Sequence, residues 1–254
     1  MAKIIAIANQ KCGVGKTTTS INLAAAVAEQ GKKVLVIDMD PQGNTSSGLG
    51  VEKNEVENTV YELMLGDCTV NECLIKDVAD NLDIIPANVN LAAAEIELMG
   101  EDNKEFILKN ELEYVVDKYD FIFIDCPPSL SMLTINAMTT AGSVLVPIQC
   151  EYYALEGLSQ LINTINLIKV KLNPNLSMEG IVFTMYDSRT NLSQDVVENV
   201  TEALEGLDHH IFETKIPRNV RLAEAPSYGI PITKFDPKSS GAESYTALAK
   251  ELIK

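Results

Sequence analysis

The 254-residue chain reads as an α/β protein, a doubly wound and mostly parallel sheet with helices on both faces. Two observations predict this. Short, wholly apolar runs such as Ile4-Ile5-Ala6-Ile7-Ala8 and Phe121-Ile122-Phe123-Ile124 have the composition of strands buried on both faces. Segments with helical spacing alternate with them, as Leu158, Leu161, Ile162, Ile165 and Ile168 illustrate. Alternation with right-handed crossovers gives a doubly wound sheet whose ligands collect at the carboxyl ends of the strands.

In chain order, the strand 4–8 is followed by a helix over 17–29 and a strand over 33–37. A helix is expected over 58–65, with Asn58 as its cap and Glu62 in its first turns. A short strand over 82–85 is closed by Pro86, and helices follow over 91–99 and 104–118. The second half reads as strand 121–124, helix 133–140, strand 144–146, helix 155–170, strand 181–183, helix 192–207 and strand 211–216, which meets Pro217. An amphipathic helix over 242–253 ends the chain. No long linker, low-complexity tract or repeat interrupts the pattern, so residues 1–254 read as one domain.

Hydrophobic content of 46% and charged content of 22% are those of an ordinary globular protein. No apolar stretch approaches the roughly 20 residues of a membrane span. The first strand follows Met1-Ala2-Lys3 directly, without a signal-peptide layout, so a cytoplasmic protein is expected. The five cysteines, Cys12, Cys68, Cys73, Cys126 and Cys150, are odd in number and scattered, which excludes a disulfide framework. His209 and His210 are adjacent and would diverge on a regular element, so a metal site there is not expected. A net charge of −16 opposes nucleic-acid binding unless Lys and Arg gather in a local patch.

Residues 9–19 read N-Q-K-C-G-V-G-K-T-T-T between the first strand and the first helix. Strand, glycine-containing loop, Lys-Thr and helix form the context of a phosphate-binding loop. Gly13 and Gly15 permit turns that aim successive N–H groups at an anion, and the helix dipole adds to that field. Lys16 can reach β- and γ-phosphates, and the Thr17 hydroxyl can complete a Mg²⁺ shell. The standard spacing G-x-x-x-x-G-K-[ST] would put a glycine where this chain has Gln10, and a second lysine, Lys11, lies inside the loop. Asp125 ends a core strand, where it can accept hydrogen bonds from metal-bound water. Asp38 and Asp40 end the second strand, on the same side if the extended geometry continues, and Asp40 suits the orientation of an attacking water.

The loop resembles the "deviant" Walker A box, K-G-G-x-G-K-[ST], of the ParA/MinD ATPases. The likeness extends to Asp38-Met39-Asp40-Pro41-Gln42-Gly43-Asn44, Asp125-Cys126-Pro127-Pro128-Ser129, Gln149-Cys150-Glu151-Tyr152-Tyr153-Ala154-Leu155-Glu156-Gly157 and the stretch from Pro217 to Pro226. It covers essentially the whole chain and is nearest to the short chromosomal ParA branch, called Soj. The resemblance implies a P-loop NTPase fold, ATP and Mg²⁺ as cofactors, and an ATP-sandwich homodimer with weak intrinsic hydrolysis. Lys11, Cys12, Gly13, Val14, Gly15, Lys16, Thr17 and Thr18 would cradle the phosphates, Lys11 reaching those of the partner. Thr17, Asp40 and Asp125 would serve the metal and the hydrolytic water, with Lys11, Lys16 and Asp40 catalytic. Base contacts would come from Met185, Pro217, Arg218 and Asn219.

The same resemblance implies that the ATP dimer binds double-stranded DNA without sequence specificity and is released when a ParB/Spo0J-like protein stimulates hydrolysis. Such proteins partition chromosomes or plasmids, and some act on replication initiation or sporulation. The matching basic positions are Arg189 and Arg218, with Lys215, Arg221, Lys234 and Lys238 as neighbours. The ATP-bound protein would then associate with the nucleoid, and no membrane partner is expected. One departure stands out: Cys12 replaces the first loop glycine, a small thiol that the dimer is expected to accommodate. The alternative is a membrane-associated positioning ATPase resembling MinD, which needs a basic amphipathic C-terminal helix.

Overall fold

Strands apolar at every position need cover on both sides, and the chain supplies it. A computed structural model describes residues 2–205 and 210–254. Its first half runs β1 (Lys3–Ile7), α1 (Lys16–Glu29), β2 (Val34–Asp38), α2 (Asn44–Gly48), α3 (Val60–Leu65), α4 (Val70–Cys73), β3 (Ile75–Ala79) and β4 (Leu82–Ile85). Then follow α5 (Leu91–Glu97), α6 (Ile107–Leu112), β5 (Phe121–Asp125), α7 (Met132–Thr140), β6 (Ser143–Gln149) and α8 (Ala154–Lys171). The last part is β7 (Ser177–Thr184), α9 (Asn191–Ala203), α10 (Val220–Glu224), α11 (Ile232–Phe235) and α12 (Ser240–Ile253).

The seven strands form one sheet in the order β3-β4-β2-β5-β1-β6-β7, parallel except for β3 against β4. Alternation along each strand divides the core in two. Ile5, Ile7, Val34, Val36 and Phe123 face α1 and α12, whereas Ala6, Leu35, Ile37, Ile122 and Ile124 join residues of α3 and α5 to α8. The central strands β2, β5 and β1 bring Asp38 level with Asp125, and Asp125 level with Ile7, at their carboxyl ends.

Several elements differ from the sequence expectation for identifiable reasons. Thr59, not Asn58, caps α3: its hydroxyl accepts from Tyr61 N, and the Glu62 carboxylate accepts from Thr59 N, a capping box. The 104–118 helix is interrupted, because i→i+3 bonds tighten the chain around Leu112 and Val115 as it turns toward the core. The expected strand 211–216 makes only isolated bridges beside β7, at Ile211 and Pro217. Between them the Glu251 carboxylate of α12 accepts from Glu213 N (2.6 Å) and Thr214 N (3.1 Å), drawing the backbone away from the sheet. The antiparallel edge strand β3 carries no apolar run, and positive φ is adopted by Asp77 within its irregular middle and by Asn81 at the turn into β4. The expected 192–207 helix ends at Ala203; Leu207 and His209 lie outside the described residues.

Buried Asn173 closes the carboxyl end of α7, its Nδ2 donating to the carbonyls of Met138 (3.0 Å), Thr139 (3.1 Å) and Ala141 (2.7 Å). Asn173→Ala should destabilise the fold by about 2 kcal/mol, because buried acceptors lose their donor. Urea unfolding measures this, and an unchanged midpoint would show that water replaces the amide.

Candidate nucleotide-binding site

The loop after β1 takes its shape from two glycines. Gly13 (φ 75°) and Gly15 (φ 88°) are left-handed, a backbone that other residues adopt at a cost. Gly15 precedes α1, whose start has neither a side-chain cap nor an acidic residue in its first turn. The first N–H groups of the helix therefore face a site of positive potential. Asn9 Nδ2 donates to Pro147 O (2.8 Å) and Thr184 Oγ1 donates to Val14 O (2.8 Å), tying the loop to β6 and β7. Lys16 is buried, and its ammonium donates to Lys11 O across the loop (3.0 Å). A cavity of about 730 Å³ opens here, lined by Cys12, Gly13, Gly15, Lys16, Thr17 and Thr18 and, opposite, by Asp40, Pro127 and Met185.

Beneath the cavity lie two buried carboxylates. Asp125 Oδ2 accepts from Thr17 Oγ1 (3.0 Å) and Thr45 Oγ1 (2.6 Å), and Oδ1 accepts from Ser20 Oγ (2.9 Å). Burial holds its proton affinity above the usual carboxylate range, and the three hydroxyls partly offset that. Asp38 is raised by burial and by the neighbouring Asp125, against the opposing bonds from Ser46 N (2.8 Å) and Ser46 Oγ (2.7 Å). Asp40 lies beyond the end of β2, and the extended geometry does not continue to it. After Met39 the chain turns, Gln42 N bonding Asp40 Oδ1 (2.9 Å), so Asp40 reaches the cavity while Asp38 stays beneath it.

This donor set suits a phosphate with a divalent cation. The Thr17 hydroxyl gives its hydrogen to Asp125, which leaves oxygen lone pairs for a metal. Asp125 and Asp40 can take hydrogen bonds from metal-bound water. A second cavity of about 310 Å³ adjoins the loop, lined by Gly15, Thr18, Met185, Pro217, Arg218, Asn219 and Leu222. Its largely apolar walls fit a flat heterocycle. Met185 stands there at φ 50°, and Asn219 accepts from Arg221 N (2.8 Å) as the cap of α10.

Lys11 does not face the large cavity. Its ammonium lies 3.6 Å from Glu151 Oε1 and 5.3 Å from the Tyr153 ring centroid, in a groove of about 400 Å³ that also includes Gly157. Cys12 is exposed beside it.

The basic residues divide. The Tyr186–Pro217 bridge sets the segment after β7 beside residues 215–218, so Arg189, Lys215 and Arg218 gather at the carboxyl end of β7. Asp187 holds Arg189 by two bonds, Nε to Oδ1 (2.9 Å) and Nη2 to Oδ2 (2.8 Å), and these keep the Asp187 carboxyl down at about 2. Lys215 lies 5.4 Å from the Tyr186 ring, Arg221 pairs with Glu224 (2.8 Å), and Lys238 is exposed. Lys234 stands apart: it pairs with Asp80 (2.8 Å) at the amino end of β4, at the other edge and end of the sheet.

Sequence reasoning missed Ser20, Thr45 and Ser46, which supply hydroxyls to the two buried acids. Ser20 lies one helical turn after Thr17, a spacing that places both on one face of α1. No comparable signal marks Thr45 and Ser46, which depend on the unforeseen helix α2.

A family model described as an AAA domain matches residues 2–178. The sporulation initiation inhibitor protein Soj of Bacillus subtilis is 55% identical over 99% of this chain and 98% of its own length. The chromosome partitioning protein ParA of Myxococcus xanthus is 52% identical over 100% of this chain and 89% of its own. Among solved structures, a cobyrinic acid a,c-diamide synthase from Mycobacterium smegmatis with bound ATP analog and magnesium gives a TM-score of 0.87 at 36% identity, covering 100% of this chain and 95% of that one. With the phosphate loop, the paired strand-end acids and relatives over its whole length, the chain belongs to the ParA/MinD family of P-loop ATPases, on its Soj/ParA branch.

Proposed function

We propose that residues 1–254 form one ParA-type domain that hydrolyses ATP slowly and partitions DNA. ATP and Mg²⁺ are its cofactors, as supported by the donor set of the loop and by the nucleotide and magnesium in the synthase structure. The observation that carries the reading is that two lysines of one loop face different cavities. Lys16 serves the chain's own phosphates together with Gly13, Val14, Gly15, Thr17 and Thr18. Lys11, on the outer groove, suits the phosphates of a second copy, where a cation in trans stabilises charge that develops during transfer. Mg²⁺ held beside Thr17 and Asp125 would supply positive charge against that build-up. Thr17 and Asp125 hold the metal side of the site, and Asp40 orients the attacking water. Met185, Pro217 and Arg218 line the base, Asn219 through its backbone.

In this reading the ATP-bound dimer grips double-stranded DNA through Arg189, Lys215 and Arg218, by contacts to phosphates that carry no sequence information. Arg221 and Lys238 are peripheral, and Lys234 is outside the patch. A cytoplasmic protein that associates with the nucleoid only when loaded would be released by a ParB/Spo0J-like partner, whose basic peptide suits a chain of net charge −16. The membrane-associated alternative loses support, since the apolar face of α12 (Tyr245, Leu248, Ala249, Leu252) is already buried against the body of the fold. Among the described residues, no helix is long and apolar enough to cross a membrane.

The reading is tested by DNA retention in the apo, ADP and Mg-ATP states, with retention expected only in the last; equal retention in all three would sink it. Lys11→Ala should bind ATP within about twofold of wild type yet lose about a hundredfold or more of partner-stimulated turnover. Arg189→Glu should weaken DNA binding about tenfold without changing ATP affinity, and Asp187→Asn should strengthen it by freeing Arg189. Filter binding across a salt series would measure both, with opposite shifts expected. Cys12→Gly should leave ATP-dependent dimerisation within about twofold of wild type by light scattering, whereas a large gain would show that the thiol obstructs the interface.

A further inference from the structure

Asp40 owes its position to the turn that follows β2. Inside that turn Gln42 N bonds Asp40 Oδ1 (2.9 Å) and Gly43 N bonds Asp40 O (2.8 Å). The Gln42 carbonyl has its donor in the Lys53 ammonium, which also bonds Gly43 O at 3.2 Å, beside the bond that Gly43 O accepts from Ser47 N (3.1 Å) at the start of α2. The approach is close: a Cβ on Gly43 would lie 2.7 Å from Lys53 Cδ and 2.5 Å from Ala87 O. At φ 59° Gly43 also holds a backbone that a side chain would strain, so glycine here makes room for the lysine stem.

Lys53 itself is delivered by a fixed segment. Val51 N bonds Ser46 O (3.0 Å), Lys53 N bonds Val51 O (2.9 Å), and Asn88 Nδ2 bonds Lys53 O (3.5 Å). Gly50 abuts Gly229, where a Cβ would meet Gly229 O at 2.9 Å. Among the described residues Lys53 has no carboxylate partner, although the chain holds 36 acidic residues against 20 basic ones. Its charge goes instead to two main-chain oxygens, and bonds from an ammonium are stronger than neutral ones. Lys53 is absent from the lining of the nucleotide cavity, so it acts on the turn and not on the ligand.

We propose that Lys53 is a positioning residue for hydrolysis, a clamp on the Gln42 and Gly43 carbonyls that fixes the turn aiming Asp40 into the site. This rests on the assignment of Asp40 to the attacking water. A water-orienting carboxylate must be held to within a fraction of an ångström, and a small misplacement costs rate while leaving affinity intact.

The test compares Lys53→Met, which keeps the stem and deletes the donors, with Lys53→Arg, wild type and Asp40→Ala. Each is assayed for turnover at saturating Mg-ATP, for affinity toward a fluorescent ATP analogue, and for its unfolding midpoint. Lys53→Met should lose about tenfold in kcat with ATP affinity within about twofold of wild type and an unmoved midpoint, and Lys53→Arg should recover most of the loss. Wild-type turnover by Lys53→Met beside an inactive Asp40→Ala would overturn the clamp alone. A parallel fall in affinity, or in the midpoint, without rescue by arginine would also overturn it, leaving Lys53 a structural residue. Full turnover by Asp40→Ala would overturn the assignment of Asp40 and, with it, the purpose of the clamp.

Discussion

A carboxylate buried in the middle of a sheet is unfavourable unless its oxygens are satisfied, and the site is arranged around that requirement at Asp125. Its three hydroxyl partners come from two helices: Thr17 and Ser20 from the start of α1, and Thr45 from α2. Satisfying Asp125 therefore fixes where α1 begins, and with it the glycine loop that precedes α1. It also docks α2, which carries Ser46 onto Asp38 and sets the exit of β2 toward Asp40. The glycine loop, α2 and the exit of β2 are held in register around one acid.

The layered sheet was legible because its central strands are buried on both faces and so are apolar at every position. Phe121 to Ile124 and Val34 to Ile37 announce themselves in this way. The edge strand β3 did not, since a strand covered on one side tolerates Lys76 and Asp77. The segment 211–216 misled for the opposite reason: its apolar residues, Ile211, Phe212 and Ile216, pack beside β7, but the N–H groups of Glu213 and Thr214 between them bond a carboxylate 38 and 37 residues further along the chain. Local pattern cannot register a partner so distant.

At the site, lysines, glycines and strand-end acids were readable because phosphate chemistry demands them at short spacing. The hydroxyls of Thr45 and Ser46 were not, being brought in by a helix of five residues with no periodic signal. The basic patch was partly legible. Arg189, Lys215 and Arg218 converge because Tyr186 bridges Pro217, whereas Lys234, near them in sequence, is carried by α11 to the far edge of the sheet. The acidic excess also acts locally, with Asp187 and Glu224 each occupying an arginine.

The bond from Lys16 to Lys11 O couples the two lysines of the loop. A buried ammonium without an acceptor would draw in water or force the loop open. Here a main-chain oxygen of the same loop stands ready to accept it. The side chain of one lysine thereby holds the backbone that carries the other, so that a change at Lys16 would be felt at Lys11 and in the outer groove.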